Sequence, residues 1–293
     1  MLKKHSLENK FLKIAVQETG AELCNLINKE KGTEHIWQAD PEIWPSHAPN
    51  LFPVIGILKD GKFFHEGEGY KMPKHGFIRY NKDVRLKEKA EDRLIFELIY
   101  SEESLKIYPF KFDFRIEFNL KGRSLEVKHH IINLDSREMY FSLGGHPAFN
   151  ICLFEGEKIS DYSIEFDREM ELKKYILNDE GLVSEQTEPV LENEKKIQLT
   201  EDIFEDDALI FKDIPAKKAD LVSKKNGKIL SVKYSDFKNL GIWAKPGAPY
   251  VCIEPWLGIA DVEGTDQILK NKAGIIELMP AKEFNAGYTI NIS

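Results

Sequence analysis

The sequence is poor in cysteine, has no long apolar run and no surplus of positive charge, and nowhere keeps a 3.6-residue apolar rhythm for three turns. The three cysteines, Cys24, Cys152 and Cys252, are odd in number and far apart, with no C-x-x-C spacing. That excludes a disulfide scaffold and fits a reducing compartment. The longest charge-free stretches, Ile43 to Leu58 and Met139 to Phe154, are broken by Pro, Gly, Asn, Ser and His, so neither reads as a membrane span. The opening MLKKHSLENKF carries basic residues but no apolar h-region or small-residue cleavage site, and the expectation is a cytoplasmic protein. Lys and Arg number 41 against 49 Asp and Glu, a net charge of −8, which disfavours a nucleic-acid partner because no basic surplus is there to displace counterions from phosphates. No Pro/Gly/Ser-rich linker, low-complexity tract or fixed-period repeat divides the chain, and a single domain over residues 1–293 is expected.

Familiar catalytic motifs are missing as well. There is no G-x-S-x-G elbow, phosphate-binding G-x-x-x-x-G-K-[ST], dinucleotide G-x-G-x-x-G or H-E-x-x-H. His129 and His130 are adjacent on a predicted strand, where neighbouring side chains point to opposite faces and cannot share one ion. No metal and no cofactor are expected.

What is present is alternation. Phe112, Phe114, Ile116, Phe118 and Leu120 alternate with polar residues, a Lys121-Gly122-Arg123 turn follows, and Leu125, Val127, His129 and Ile131 alternate again, the pattern of a hairpin of half-buried strands. Arg93 to Tyr100 and the segment through Tyr288, Ile290 and Ile292 behave alike. Asn226-Gly227 and Asp60-Gly61 signal two more hairpin turns. Glu102 to Ile107 and Glu201 to Glu205, the latter after Thr200, are predicted as single helical turns. Hydrophobic residues at 42% supply a sizeable core, and the predicted fold is a large all-β, antiparallel sandwich with few short helices.

Three segments break the strand logic: Lys74 to Tyr80 (KHGFIRY), Ser142 to Asn150 (SLGGHPAFN) and Pro246 to Asp261 (PGAPYVCIEPWLGIAD). Each sets ionisable residues among Gly, Pro and aromatics, which in a β protein marks loops or strand ends around a concave surface. Glu254 lies in an apolar run, where its carboxyl is either a base with a raised pKa or one half of a buried ion pair, with Arg79 as the candidate partner. His146 follows two glycines and precedes Pro147, and His75 sits beside Gly76; each is either a reacting group or a core histidine satisfied by backbone. Asp206-Asp207 opens an apolar strand, as solvated charges or as hydroxyl ligands. Trp37, Trp44, Trp243 and Trp256 are candidates for a sugar-stacking platform or for core.

Taken together, HGF-x-R at His75 to Arg79, GGHPAF at Gly144 to Phe149, DDALIF at Asp206 to Phe211 and IEPWxGIAD at Ile253 to Asp261 resemble the aldose 1-epimerase (mutarotase) family in its LacX-like bacterial branch. Thr19 to Leu23, Trp37-Gln38, Leu51 to Pro53 and the Tyr288 strand extend the resemblance over nearly the whole chain. It implies a galactose-mutarotase-like β-supersandwich that interconverts the α and β anomers of a hexose without a cofactor. By that resemblance Glu254 is the base at the anomeric hydroxyl, His146 the acid at the ring oxygen and His75 an assisting group. Asp207, preferred to Asp206, binds ring hydroxyls, and Arg79, Trp256 and Asn150 complete the sugar contacts. The expected partner is a small sugar, free or phosphorylated, taken by a monomer or homodimer with no membrane or nucleic-acid contact. One departure stands out: Ile57 follows Gly56 where the branch often carries Arg, with Lys59 or Arg79 as compensating cations. A hexose-6-phosphate mutarotase and a non-catalytic carbohydrate-binding or sensing protein are the alternatives. A glycoside hydrolase using Glu254 and Asp207 as its two carboxylates would leave the His146 motif unused.

Overall fold

A computed structural model describes residues 3–293. Nearly all regular structure is antiparallel strand, and the one α-helical segment among the described residues, Glu102–Leu105, is a single turn capped by the Ser101 hydroxyl. The chain begins with a four-stranded meander, Lys4–Glu8, Leu12–Gln17, Glu22–Asn28 and Thr33–Glu34. The remaining strands form a fifteen-stranded sheet and two two-stranded pairs, one a hairpin and the other joining Met139–Phe141 to Ile276–Leu278.

The alternating segments occupy the expected places. Phe112–Lys121 pairs with Ser124–Asn133 through a two-residue Gly122-Arg123 turn, and Arg93–Ile99 and Glu283–Ile292 flank that hairpin. Along Ser124–Asn133 every second residue is buried, so His129 is fully covered while His130 faces outward. The two histidines therefore cannot share an ion. A sheet of this many strands accumulates too much twist to stay flat and curls on itself. The curl brings the ends of the sheet together: His129 Nε2 lies 2.9 Å from Asn50 Oδ1, and the Phe52 ring stacks on Phe114 at 4.6 Å. Between these facing layers one continuous apolar core runs the length of the molecule.

Two sequence expectations need correction. Asp60-Gly61 does turn the chain, with φ of +54° and +63°, but it leads into Lys62–His65, whose partner Glu68–Lys71 is reached through Glu66-Gly67; the hairpin turn is the later one. Glu201 to Glu205 forms turns and no helix, because a segment this short buries only Phe204 and has no apolar stripe to hold a helical face. The Asn226-Gly227 signal does join two paired strands, Lys218–Ser223 and Gly227–Lys233.

The strand that organises the site is Tyr250–Leu257, buried at every residue because it is covered on both faces. On one side it pairs without interruption with Asn239–Trp243, from Cys252 to Trp256. On the other its neighbour is interrupted: Leu143–Gly145 pairs with Leu257 and Trp256, Ala148–Asn150 pairs with Cys252 to Tyr250, and His146-Pro147 fill the gap between. Pro147, opposite Ile253, has no N–H to give the ladder and only accepts the Ile253 N–H at 3.3 Å, while the His146 N–H turns away to the Pro49 carbonyl at 2.9 Å. His146 is thereby released from the sheet directly across from Glu254.

Candidate active site

A cavity of about 250 Å³ opens over this interruption. Glu254, on the same strand face as Cys252 and Trp256, forms its floor with His146 and His75, and the indoles of Trp44, Trp243 and Trp256 wall it. Trp44 stacks on the His146 imidazole at 5.0 Å, with Trp243 edge-on at 5.9 Å. The aromatic walls thus fix the ring plane of His146 before anything binds.

His146 Nε2 stands 3.2 Å from Glu254 Oε2, without the geometry of a formed hydrogen bond. Burial raises the Glu254 carboxyl well above its ordinary value, helped by the nearby charge of Asp207, while Lys74, Arg79 and the Trp256 indole pull the other way. Burial likewise pushes His146 well below the usual imidazole range, and Arg79 and Lys74 push in the same direction. Water-excluded surroundings therefore favour a pair that is neutral overall and holds a single proton between its two members. Four buried polar atoms in this wall, His146 Nδ1, Glu254 Oε2, Trp256 Nε1 and Arg79 Nε, have no hydrogen-bond partner. Unpaired groups of this kind are costly inside a protein and mark a place prepared for a polar ligand.

His75 is held differently. Its φ is +65° and that of Gly76 is +78°, two consecutive left-handed residues. A Cβ at Gly76 would fall 2.1 Å from the Phe52 carbonyl oxygen, so only glycine fits where this loop crosses the Phe52 strand end. The Gly56 N–H donates to His75 Nδ1 at 3.1 Å, and the His75 N–H donates to the Gly56 carbonyl at 2.7 Å. Because Nδ1 accepts, the neutral ring carries its proton on Nε2. Burial keeps it neutral, holding its pKa well below the ordinary value. The His75 and His146 rings meet edge to face at 5.5 Å.

At the mouth stand Lys74, Arg79, Tyr80 and Asp207. Asp207, not Asp206, lines the cavity; its left-handed φ of +80°, a conformation Asp tolerates, turns it there, and one carboxylate oxygen accepts the Ala208 N–H at 2.7 Å. Arg79 makes no ion pair with Glu254. Its guanidinium donates to Ser46 Oγ at 3.1 Å and packs on the Tyr80 ring at 4.8 Å.

Most of the residues singled out in the sequence converge here, with exceptions. Asn150 lies outside the cavity, and both of its amide donors are spent on the Glu34 and Ile36 carbonyls, which binds the large sheet to the N-terminal meander. Trp37 packs on Tyr250 and donates its indole N–H to the Trp44 carbonyl, behind the wall. Ile57 and Lys59 also lie off the cavity; the Ile57 side chain faces Gly181 at the tip of the hairpin formed by Tyr162–Leu177 and Val183–Gln198. Tyr80, 61% exposed, and Cys252 were not foreseen. His146, Cys252 and Glu254 offer donor atoms within 4.8 Å of one another, a set that suits a soft divalent cation, while of the three only His146 and Glu254 line the cavity.

Comparison with known proteins decides the family. The model of the aldose 1-epimerase family matches residues 3–261. The chain belongs to the aldose 1-epimerase family. It is 31% identical over 295 residues to the chromosomal LacX protein of Lactococcus lactis subsp. lactis, with 98% of each chain covered. A solved galactose mutarotase related enzyme from Lactobacillus acidophilus superposes with a TM-score of 0.95 at 34% identity, covering 99% of this chain and 97% of that one. A galactose mutarotase-like protein from Lactobacillus casei gives 0.91 at 29% identity, with 99% and 100% covered. The chain is accordingly an isomerase of mutarotase type with the galactose-mutarotase-like β fold that its motifs resemble. Among the described residues no helix is long and apolar enough to cross a membrane.

Proposed function

We propose that the protein interconverts the α and β anomers of a hexose by opening and reclosing the pyranose ring at the Glu254–His146 pair. Glu254 takes the proton from the O1 hydroxyl while His146 delivers one to the ring oxygen O5; the C1–O5 bond breaks and C1 becomes an aldehyde. Rotation about C1–C2 presents the other carbonyl face, and reversal of the two transfers closes the opposite anomer. One proton leaves O1 and one arrives at O5, so the pair ends each half-cycle with its single proton on the other member and no net charge change. O1 and O5 are bonded to the same carbon, so acid and base must be neighbours, and the 3.2 Å separation of His146 Nε2 from Glu254 Oε2 is the observation that carries the proposal.

The remaining groups have natural tasks. His75 presents its Nε2–H to the sugar, Asp207 accepts from ring hydroxyls, and the indole of Trp256 backs the ring. The cavity, below the roughly 300–1,000 Å³ of pockets for drug-sized ligands, suits one sugar ring. No cofactor enters the scheme.

A second reading concerns an anionic sugar such as a hexose 6-phosphate. Lys74 and Arg79 both border the cavity, and among the described residues neither has a carboxylate within salt-bridge distance. Two cations without an ion-pair partner at one end of a pocket in a protein of net charge −8 favour a negatively charged substituent there.

Anomer exchange followed by NMR magnetisation transfer on glucose, galactose and glucose 6-phosphate tests both readings. Wild type is expected to accelerate exchange, and Glu254→Gln and His146→Asn each to lose about 10²–10⁴-fold, the usual worth of a positioned acid or base. Sugar binding without acceleration on any of the three would leave a binding or sensing protein instead.

A further inference from the structure

Behind the cavity lies a buried ion pair that the proposed chemistry does not use. Asp261 and Lys272 have side chains only 4% and 3% exposed, with Lys272 Nζ 2.7 Å from Asp261 Oδ1. The second carboxylate oxygen accepts the Lys59 N–H at 2.9 Å. The Asp261 backbone is equally committed: its N–H donates to the Ile57 carbonyl at 2.9 Å, and its carbonyl accepts the Val183 N–H at 2.8 Å. Every polar group of this residue is used, and two of its four bonds grip the segment from Ile57 to Lys59.

That segment begins at Gly56, the residue bonded twice to His75. Gly56 has φ +65°, and a Cβ there would lie 2.4 Å from the Ala260 Cβ. The backbone at 56 is thus pressed between Ala260 on one side and His75 on the other. Asp261 fixes the far side of this sandwich, and the Gly56 N–H fixes which nitrogen of His75 is free to carry the proton. We infer that Asp261, anchored by Lys272, is a positioning residue for His75: it holds the Gly56–Lys59 segment at the distance where the Gly56 N–H meets His75 Nδ1, so that the ring offers Nε2–H to the cavity. The inference rests on the role given to His75 in the proposed reaction, but its structural half stands without any sugar.

Unpaired, the carboxylate would be expelled from its site, because an isolated buried charge is strongly unfavourable. Lys272 supplies the compensating charge from eleven residues away, and Asn cannot replace Asp261 without turning its amide N–H₂ toward one of two donors, the Lys272 ammonium or the Lys59 N–H. The segment would then relax, and displacements of about 1 Å at a distance from the chemistry cost up to about 10²-fold in rate.

The first test needs no variant. In wild type, ¹⁵N NMR of His75 should show a protonated Nε2 and an unprotonated Nδ1 coupled through the hydrogen bond to the Gly56 amide; a proton on Nδ1 overturns the inference. The second is Asp261→Asn. The Gly56 coupling should vanish, His75 should become a mixture of tautomers, and kcat for anomer exchange should fall about 10-fold with KM less affected. A normal His75 spectrum in this variant, whether its rate is normal or reduced, would show that the pair serves the fold alone and sink the proposal. Failure of the mutarotase reading shows itself separately, as absence of exchange in wild type with the His75 tautomer as described. Should Asp261→Asn fail to fold, Lys272→Gln, which takes the anchoring charge from the Asp261 carboxylate, is read the same way: loss of the Gly56 coupling supports the inference and an unchanged His75 spectrum overturns it.

Discussion

Replacing Glu254 by Gln should slow the enzyme and stabilise the protein at the same time. The carboxyl is 2% exposed, and burial raises its pKa well above the 4.5 of an ordinary glutamate. The folded protein therefore binds this proton more tightly than the unfolded chain does. Stability from that difference is complete below the unfolded pKa and is lost as pH rises through the folded one. Every tenfold difference in proton affinity between the two states corresponds to about 1.36 kcal/mol. For chains somewhat smaller than this one, a kcal/mol is worth roughly 2–4 °C of Tm. Glutamine has the same shape and never ionises, so the penalty disappears. Thermal unfolding of the two proteins should coincide near the unfolded carboxyl's pKa and diverge with rising pH, the variant unfolding higher by roughly 3–5 °C for every tenfold by which folding tightens the proton. Anomer exchange should meanwhile fall by about 10²–10⁴-fold. A variant that is less stable than wild type, with a deficit that grows with pH, would mean that the ionised carboxylate is a structural partner. That result would refute the reasoning from burial.

Further outcomes follow from the same geometry. The pH profile of kcat/KM should be bell-shaped: the acid limb, where the pair gains a second proton, should lie below the ordinary histidine value of 6.5 because burial depresses His146, and the alkaline limb, where the shared proton is lost, should lie well above the ordinary glutamate value of 4.5. A profile with its acid limb above the ordinary histidine range would contradict it. Asn150→Ala should cost about 0.5–1.5 kcal/mol in urea unfolding, since the Glu34 carbonyl loses its side-chain amide donor while the Ile36 carbonyl keeps that of Gln38, and kcat should stay within about twofold. A selective rise in KM would return Asn150 to the sugar contacts. Lys74→Met combined with Arg79→Met should raise KM for glucose 6-phosphate more than for glucose; equal effects on both sugars would remove the anionic-sugar reading.

The strands were legible because one rule, alternation, generates them, and the hairpin from Phe112 to Asn133 follows it residue by residue. The site was legible where chemistry sits inside a local violation of that rule, as at Glu254, His146 and His75. Asn150 misled because sequence proximity to His146 says nothing about direction: the Ile36–Phe149 bridge brings the meander's carbonyls to Asn150, and its amide is captured there. Lys272 left no signal at all. Its partner is eleven residues away across an irregular loop, and a lysine between Asn271 and Ala273 reads as a solvated charge until the fold encloses it. Tyr80 was hidden for the opposite reason: an exposed aromatic beside Arg79 becomes a cavity wall only through the turn that Gly76 permits.

The residues proposed to react share a feature that explains why a sheet-rich protein can hold them so closely. None of them is presented by an uninterrupted ladder. His146 stands in a gap between two short strands, Glu254 lies across from that gap, and His75 and Asp207 have left-handed backbones. A regular strand spaces same-face side chains two residues apart and would leave acid and base side by side on one surface, pointing the same way. Interrupting the neighbour strand lets the imidazole come across the sheet to the carboxylate. Each left-handed residue costs of order 1–3 kcal/mol, which persists only where the surroundings over-determine the conformation. Here the surroundings are identifiable: the Phe52 strand end under Gly76, the Trp44 and Trp243 rings against His146, and the Asp261–Lys272 pair behind Gly56. Stability and catalysis therefore meet at the same few contacts. Substitutions in these supports, distant from the sugar, should change rate before they change affinity.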